Sequence, residues 1–233
     1  MKHVSVMAVL LAVSLGAHAQ NIQLHYDFGK KIYSNEESGR QDVTLTYETY
    51  RSDKLGSWFY WIDVDIDKHG DLGAYTEVSR EFNIGKKGFA AHVEYNGGLN
   101  RHGSFQTAGL LGVAWNGHNE DFSTTYSVQA LYKQYFSQNG LGGYASLQLT
   151  GVWSTSFGSE NKWTSSGFFD FWRGEKSNGH GQLVFITEPQ LWYNVSPSFS
   201  VGTELEISNN FIYNTYNGKT FFVNPTLAIK FNL

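Results

Sequence analysis

The chain has 233 residues, with 21 acidic and 17 basic side chains, a formal net charge of −4 at pH 7 and no cysteine. The absence of cysteine excludes a small secreted scaffold held by disulfides, and the acidic balance argues against nucleic acid as a partner. The length suits one large β domain, and an aromatic content of 16% is typical of a membrane barrel with aromatic girdles.

The first 19 residues have the features of a secretory signal peptide. Basic Lys2 precedes an apolar run that is too short to cross a bilayer as a helix, and Ala17 and Ala19 form an A-x-A cleavage site before Gln20. We therefore predict a signal peptide over 1–19 and a single β domain over 20–233.

From Gln20 onward, short segments of alternating apolar and polar residues are separated by clusters of Gly, Asn, Asp and Ser. We predict twelve strands, of which the ninth is ambiguous in register, at residues 21–29, 42–51, 57–67, 73–84, 88–97, 104–116, 121–136, 143–155, 164–173, 182–195, 199–211 and 220–233. An even number of strands places both termini at one end of a closed barrel. The sequence thus predicts an all-β fold, a twelve-stranded antiparallel β-barrel.

The third segment shows the alternation most clearly. One face carries Trp58, Tyr60, Ile62, Val64 and Ile66, whereas the other face carries Ser57, Phe59, Trp61, Asp63, Asp65 and Asp67. Alternation alone fits a soluble barrel as well, in which the apolar row would fill the interior.

Aromatic residues favour the membrane alternative, because they recur on the apolar rows near both ends of the strands. One ring is predicted to contain Trp58, Phe82, Phe89, Trp115, Phe122, Trp153, Tyr193, Phe199 and Phe231, and the other Tyr26, Phe28, Phe105, Tyr132, Phe136, Phe211 and Phe221. Membrane interfaces favour such bands, whereas a soluble core has no reason to form them. We therefore predict a transmembrane barrel in the bacterial outer membrane, with its apolar rows against lipid.

In this arrangement the polar rows line a lumen rich in acids. The acidic residues of these rows are Asp27, Glu48, Asp63, Asp65, Asp67, Glu77, Glu81, Glu94, Asp170, Glu188, Glu204 and Glu206. The basic residues of the same rows are His25, His92, Lys133 and Lys230. Such a wall would repel anions and favour cations or uncharged, hydrogen-bonding solutes. Most of these acids are explained by hydration of the interior, but three aspartates on one strand face cost stability unless a cation, an arginine or water offsets them.

Catalytic sites are less favoured by the pattern. A lipid-facing serine–histidine pair is not supported, because the histidines fall in polar rows or loops, at His25, His69, His92, His102, His118 and His180. Asp65, Asp67 and His69 could nominally form a protease site at the rim. The repeated aspartates lack the glycine and glutamate spacing of a calcium loop, and no zinc, phosphate or nucleotide motif is present.

These residues resemble the nucleoside-specific channel-forming outer-membrane proteins of the Tsx type and their shorter relatives of unassigned function in Bacteroidetes. The resemblance lies in residues 45–50, in Trp58 to Tyr60 with the acids that follow, in residues 76–82 and in residues 167–172. It implies a twelve-stranded monomer whose narrow lumen passes nucleosides. It also implies roles for Glu48, Glu77 and Asp170, and then for Asp63 and Asp65, although the outer loops are shorter than those of the family.

The sequence hence predicts a passive channel for small polar solutes, not an enzyme, and nucleosides are the most favoured of these solutes. The predicted lumen site comprises Glu48, Tyr50, Phe59, Trp61, Asp63, Asp65, Glu77, Asp170, Trp172, Glu188 and Trp192. Passive diffusion requires no cofactor or metal, and the predicted partners are outer-membrane lipid and the solute. The alternatives are a structural or adhesion barrel with a plugged lumen and, third, an outer-membrane hydrolase.

Overall fold

The computed structural model describes residues 19–66, 72–101, 103–175, 180–212, 214 and 216–233. It contains twelve long strands: β1 Ala19–Asp27, β2 Val43–Ser52, β3 Gly56–Ile66, β4 Leu72–Ile84, β5 Phe89–Asn100, β6 Ala108–His118, β7 Thr124–Tyr135, β8 Tyr144–Phe157, β9 Trp163–Glu175, β10 in two parts, Gly181–Thr187 and Gln190–Ser196, β11 Phe199–Asn209 and β12 Phe221–Asn232. A two-residue strand, Gly103–Ser104, folds back on the end of β5.

Only two short helical elements are described, α1 at Gly29–Ile32 and a 3-10 turn at Ser159–Asn161. Neither is long and apolar enough to cross a membrane, and the described part of the chain holds no other helix that is.

The strands form one closed antiparallel sheet. Each strand pairs with its sequence neighbours, and β1 closes the sheet against β12 from the Asn21–Asn232 pair to the Asp27–Thr226 pair. Closure leaves no unpaired edge, which a barrel in lipid requires because the bilayer core offers no water to exposed backbone groups. The predicted fold class is confirmed.

Both described ends of the sheet, at Ala19 and Asn232, lie at the same end of the barrel, here called the terminal end; the opposite end is the loop end. Short turns connect strands at the terminal end, at residues 53–55, 85–88, 119–123, 158–162 and 197–198. The loop-end connections include the longer segments 28–42, 101–107, 136–143 and 210–220. This is the asymmetry of outer-membrane barrels, in which periplasmic turns are short and outer loops are long.

The structure corrects some predicted boundaries. β1 ends at Asp27, so Phe28 lies beyond the strand and caps α1. Phe105 and Phe122 are in connections rather than in strands, and Phe122 stacks on the His118 ring at 3.8 Å in a turn with a positive φ. Residues 1–18, Asp67 and His69 lie outside the described residues, so the signal peptide, the third aspartate of the row and the rim-protease hypothesis are not tested.

The apolar rows face outward and the polar rows face inward. Leu147 on β8 is 73% exposed, whereas its neighbours Ser146 and Gln148 are buried. The same contrast holds on β7, where Tyr132 is exposed and Lys133 is buried. This distribution is the reverse of a soluble protein, in which the apolar side chains would be the buried ones.

The ninth and tenth strands contain the main irregularity. Pro189 has no amide hydrogen to donate and separates the two parts of β10. Opposite the break, a Cβ on Gly167 would lie 2.6 Å from the Glu188 carbonyl oxygen, so only glycine allows this approach. The register of β9 is now resolved: Phe169 and Phe171 face outward, and Asp170 and Trp172 face inward.

Arg80 is a charged residue in the outward row of β4, between Val78 and Phe82, and its side chain is buried. Its guanidinium carbon lies 5.0 Å from the ring centroids of both Trp58 and Phe82, and its Nη2 donates to Asp53 in the terminal-end turn at 2.9 Å. This arginine and two backbone N–H groups lower the pKa of Asp53. The charge is thereby directed toward the membrane interface, as is typical of arginines near the ends of spanning segments.

The outward orientation of the apolar rows predicts a depth-dependent cost for arginine. Val113→Arg places a charge on the outer wall at the middle of β6 and should lower the free energy of unfolding by about 2–4 kcal/mol in a bilayer. Ile84→Arg, at the end of β4, is the matched control, since the two side chains are 52% and 53% exposed. It should cost about 0–1 kcal/mol, because the headgroup region is hydrated. Urea unfolding in lipid vesicles measures both values, and equal costs would contradict a lipid-facing outer wall.

Candidate functional site

The lumen wall is the candidate site, and the inward rows bring the predicted residues to it. On β2, β3 and β4, Tyr50 pairs with Phe59, and Trp61 lies between Glu48 and Glu77. The other predicted residues lie on the rest of β3 and on β9 and β10, at Asp63, Asp65, Asp170, Trp172, Glu188 and Trp192. Their role in binding a solute stays a prediction.

The aspartates of β3 are satisfied by threonines of the adjacent strand. Thr46 donates its hydroxyl to Asp63, and Thr44 donates to Asp65 at 2.7 Å. Each hydroxyl offsets part of the cost of a carboxylate in the wall. The two acids and their threonine partners thus form a polar strip along β2 and β3.

A second group of charges surrounds Lys133 on β7. Its ammonium donates to Gln148 at 2.7 Å and lies 4.5 Å from the Trp172 ring centroid. Glu77, Glu94 and Asp170 are near enough to interact with it electrostatically. Lys133 thus offsets part of the negative charge of carboxylates on β4, β5 and β9 at longer range than a direct ion pair.

Trp172 and Trp192 are less available for stacking than the pattern of the sequence suggests. Lys133 covers a face of Trp172, as described above, and Val184 and Ile186 pack beside that ring. Trp192 is 0% exposed, with the ammonium of Lys230 4.1 Å from its centroid and its Nε1 donating to Gln190. The β2–β3 wall is more open, since Tyr50 on its inward row is 47% exposed.

His92 on β5 lies between two glutamates. Its Nδ1 is 3.4 Å from Glu81 and its Nε2 is 2.9 Å from Glu94, and Glu81 also accepts from Asn116 at 2.7 Å. The ring links β4 and β5 in the interior, where a protonated imidazole would be stabilised by both carboxylates.

Residues 29–42, here called the mouth segment, fold inward at the loop end. The sequence predicts most of this range as an outer loop. Instead, Arg40 donates to Asp27 at 2.7 Å and to Glu206 at 2.8 Å, and Glu37 accepts from Asn224 at 2.9 Å. These three partners belong to the inward rows of β1, β11 and β12, so the segment covers that side of the mouth. No periodic pattern in the segment marks these contacts, and sequence reasoning missed them.

Acids outnumber bases among the described lumen groups. Besides Asp27 and Glu206, which pair with Arg40, the acids with few basic partners are Glu48, Asp63, Asp65, Glu188 and Glu204. Lys133, Lys230 and Arg40 are the bases that reach the interior. Chemically, the wall offers many hydrogen-bond acceptors and a negative field.

The group around Lys133 predicts a coupled effect on stability. Lys133→Gln removes a buried positive charge, its hydrogen bond to Gln148 and its attraction to the three half-buried carboxylates, and should cost about 2 kcal/mol of unfolding free energy. Adding Asp170→Asn should recover part of that loss, because one uncompensated charge is removed. Lys162→Gln is the control, since its ion pair with Glu160 is solvent-exposed at 3.8 Å and should matter by less than about 1 kcal/mol. If Lys133→Gln and Lys162→Gln lower the free energy of unfolding in urea by the same amount, the proposed role of Lys133 is wrong.

Comparison with solved structures identifies the fold. The NanC porin superposes with a TM-score of 0.59 at 12% identity, covering 92% of this chain and 100% of that one. The KdgM porin gives 0.52 at 9% identity, with 92% and 99% covered, and KdgM in complex with disordered oligogalacturonate gives 0.50 at 8% identity, again with 92% and 99% covered. At such identities the likeness shows the fold alone.

No curated protein sequence matches the chain. The resemblance to Tsx-type channels remains a hypothesis, because no nucleoside-specific family is shown. Residues 19–233 match the family described as "Domain of unknown function (DUF5020)". The chain therefore belongs to the DUF5020 family, and in this protein that domain is a closed β-barrel of twelve antiparallel strands.

Proposed function

We propose that the protein is a passive channel of the bacterial outer membrane for small polar solutes that are neutral or cationic, with nucleosides first. The observation that carries the proposal is the orientation of the rows: the outer wall is apolar while the interior carries acids, amides and aromatic rings. Such a barrel can stand in a bilayer and still offer a polar route through it. The porin fold of NanC and KdgM supports the proposal at the level of architecture.

Charge decides which solutes the lumen favours. KdgM was solved with oligogalacturonate, a polyanion. A polyanion would meet Glu48, Asp63 and Asp65 here, with few bases to offset them. At about 6 Å and an effective dielectric near 20, each carboxylate–phosphate or carboxylate–carboxylate pair costs roughly 3 kcal/mol before salt screening. Nucleotides and acidic saccharides are thus disfavoured relative to nucleosides.

Flat rings on the same wall favour a solute with a ring of its own. Tyr50, Phe59 and Trp61 follow one another along β2 and β3, next to the carboxylate of Glu48. A nucleoside can stack on such rings while its ribose hydroxyls donate to the carboxylate. Because lysines cover Trp172 and Trp192, we place the stacking surface on β2 and β3.

A second candidate is a structural barrel whose lumen is plugged. The observation in its favour is the occupied loop-end half, where the mouth segment on β1, β11 and β12 and the cluster of Trp172, Val184 and Ile186 on β9 and β10 lie against neighbouring parts of the wall. An enzyme is supported less well, since His25 contacts Thr226 and Gln23 and His92 contacts glutamates. We therefore propose no catalytic activity.

Block of the ion current by nucleosides tests the channel directly. In a planar bilayer, adenosine or uridine should reduce the current through single channels, and the corresponding monophosphates should do so much more weakly. Trp61→Ala should weaken nucleoside block by about 1–3 kcal/mol, which is about 5- to 150-fold in midpoint concentration, because one stacking surface is lost. Trp58→Ala is the matched control: it lies three positions earlier on the outer wall and should leave the block unchanged.

The acids of β3 should set the exclusion of nucleotides. Asp63→Asn combined with Asp65→Asn removes two negative charges, and the Asn side chains can still accept the threonine hydroxyls. This double variant should be blocked by nucleoside monophosphates more strongly than the unmodified protein, with the difference shrinking at high salt. Equal effects of nucleoside and nucleotide on the unmodified protein would reject the selective channel and favour the plugged barrel.

A further inference from the structure

The anchoring of the mouth segment contains an unbalanced charge. The guanidinium of Arg40 faces three carboxylates: Asp27 at 2.7 Å, Glu206 at 2.8 Å and Glu37 at 3.7 Å. One positive charge cannot offset three negative ones in an interior position. The longest of the three contacts belongs to Glu37, which makes Glu37 the acid that the arginine stabilises least.

The hydrogen bonds of Glu37 support the same conclusion. Its side chain is buried, at 4% exposure, and its Oε1 accepts from Asn224. The Asn224 amide nitrogen also donates to Glu206 at 3.2 Å, so one amide group joins the two acids. Glu37 Oε2 and Asn224 Oδ1 are both buried and have no hydrogen-bond partner among the described residues. A proton on Glu37 would supply a donor where two acceptors are otherwise unsatisfied.

We propose that Glu37 is protonated when the mouth segment is docked, and that loss of this proton releases the segment from the loop-end mouth. Release would widen the opening, because the segment covers the wall formed by β1, β11 and β12. The gating consequence rests on the proposed channel function, whereas the docking does not.

The groups around Glu37 determine the direction of the effect. Burial raises the pKa of Glu37, Arg40 and the Asn224 amide lower it, and Glu206 and Asp27 raise it. From the adjoining loop, Lys219 stacks on Tyr33 at 3.9 Å, and Asn217 donates to Glu36. Because the docked pKa is raised, docking is at full strength below the ordinary glutamate pKa and weakens as the pH rises through the raised value. The mouth segment is thus docked in acid and released as the pH rises through the raised pKa of Glu37.

Hydrogen–deuterium exchange of residues 29–42 tests the docking without any assumption about transport. Unmodified protein in lipid vesicles should protect these residues in acid and lose protection as the pH rises, by at most about tenfold per pH unit for a single proton. Glu37→Gln keeps a neutral side chain with a donor, so it should remain protected across the range. Comparing the proteins at equal pH cancels the intrinsic exchange rates.

Glu36→Gln is the control, since the neighbouring Glu36 pairs with Asn217 at the exposed surface and should behave like the unmodified protein. Glu206→Gln removes a carboxylate that raises the pKa of Glu37, and it should move the loss of protection to lower pH. This variant tests the inference independently if Glu37→Gln does not fold. Unchanged pH dependence in both Glu37→Gln and Glu206→Gln would overturn the proposal.

Single-channel recording then separates docking from function. Suppose that exchange shows the expected pH-dependent docking and that the conductance of the unmodified protein also rises with pH, while Glu37→Gln keeps a low conductance. Both the docking of the mouth segment and the channel function are then supported. If exchange shows the expected docking but no conductance is found at any pH, the pH-dependent docking of the mouth segment is supported and the channel function is rejected.

Discussion

The structure depends on one constraint: a strand that contacts lipid on one side and a polar interior on the other must satisfy its backbone without water. Pairing of β1 with β12 meets this constraint, because it removes the last two free edges of the sheet. Once the sheet is closed, successive side chains of a strand point alternately to the lipid outside and to the polar interior. Leu24 and Tyr26 then face outward, while Gln23 and His25, which alternate with them, are buried in the interior.

The polar interior is stabilised by local pairing rather than by charge neutrality. Threonine hydroxyls satisfy Asp63 and Asp65, amides satisfy Glu204 and Lys133, and His92 joins two glutamates. Only a few bases oppose the acids, and each is already engaged with carboxylates or aromatic rings. This leaves a negative wall on β2 and β3, where the rings are most open, and a crowded wall on β7, β9 and β10. Selectivity and plugging therefore involve different sides of the same lumen.

The sequence predicted the strands and their faces well, because alternation reports an environment that changes from residue to residue. It did not predict contacts between strands that are separated by a third strand, or contacts made by a connection between strands. Lys133 with Trp172, and Lys230 with Trp192, join strands that are not adjacent, so no local pattern marks these tryptophans as covered. Arg40 and Glu37 were missed because their segment has a loop composition and its partners, Glu206 and Asn224, are far along the chain. Phe105 and Phe122 were placed in strands because an aromatic at headgroup depth is as favourable in a turn as at a strand end.

A negative lumen that is open at both ends of the barrel should conduct cations in preference to anions. The zero-current potential of single channels between two salt solutions of unequal concentration measures this preference, because it requires an open path and its sign identifies the favoured ion. We expect a potential with the sign of cation selectivity, which decreases as the overall salt concentration rises and screens the wall. A potential of the opposite sign, or the absence of any conductance across the whole pH range, would contradict it.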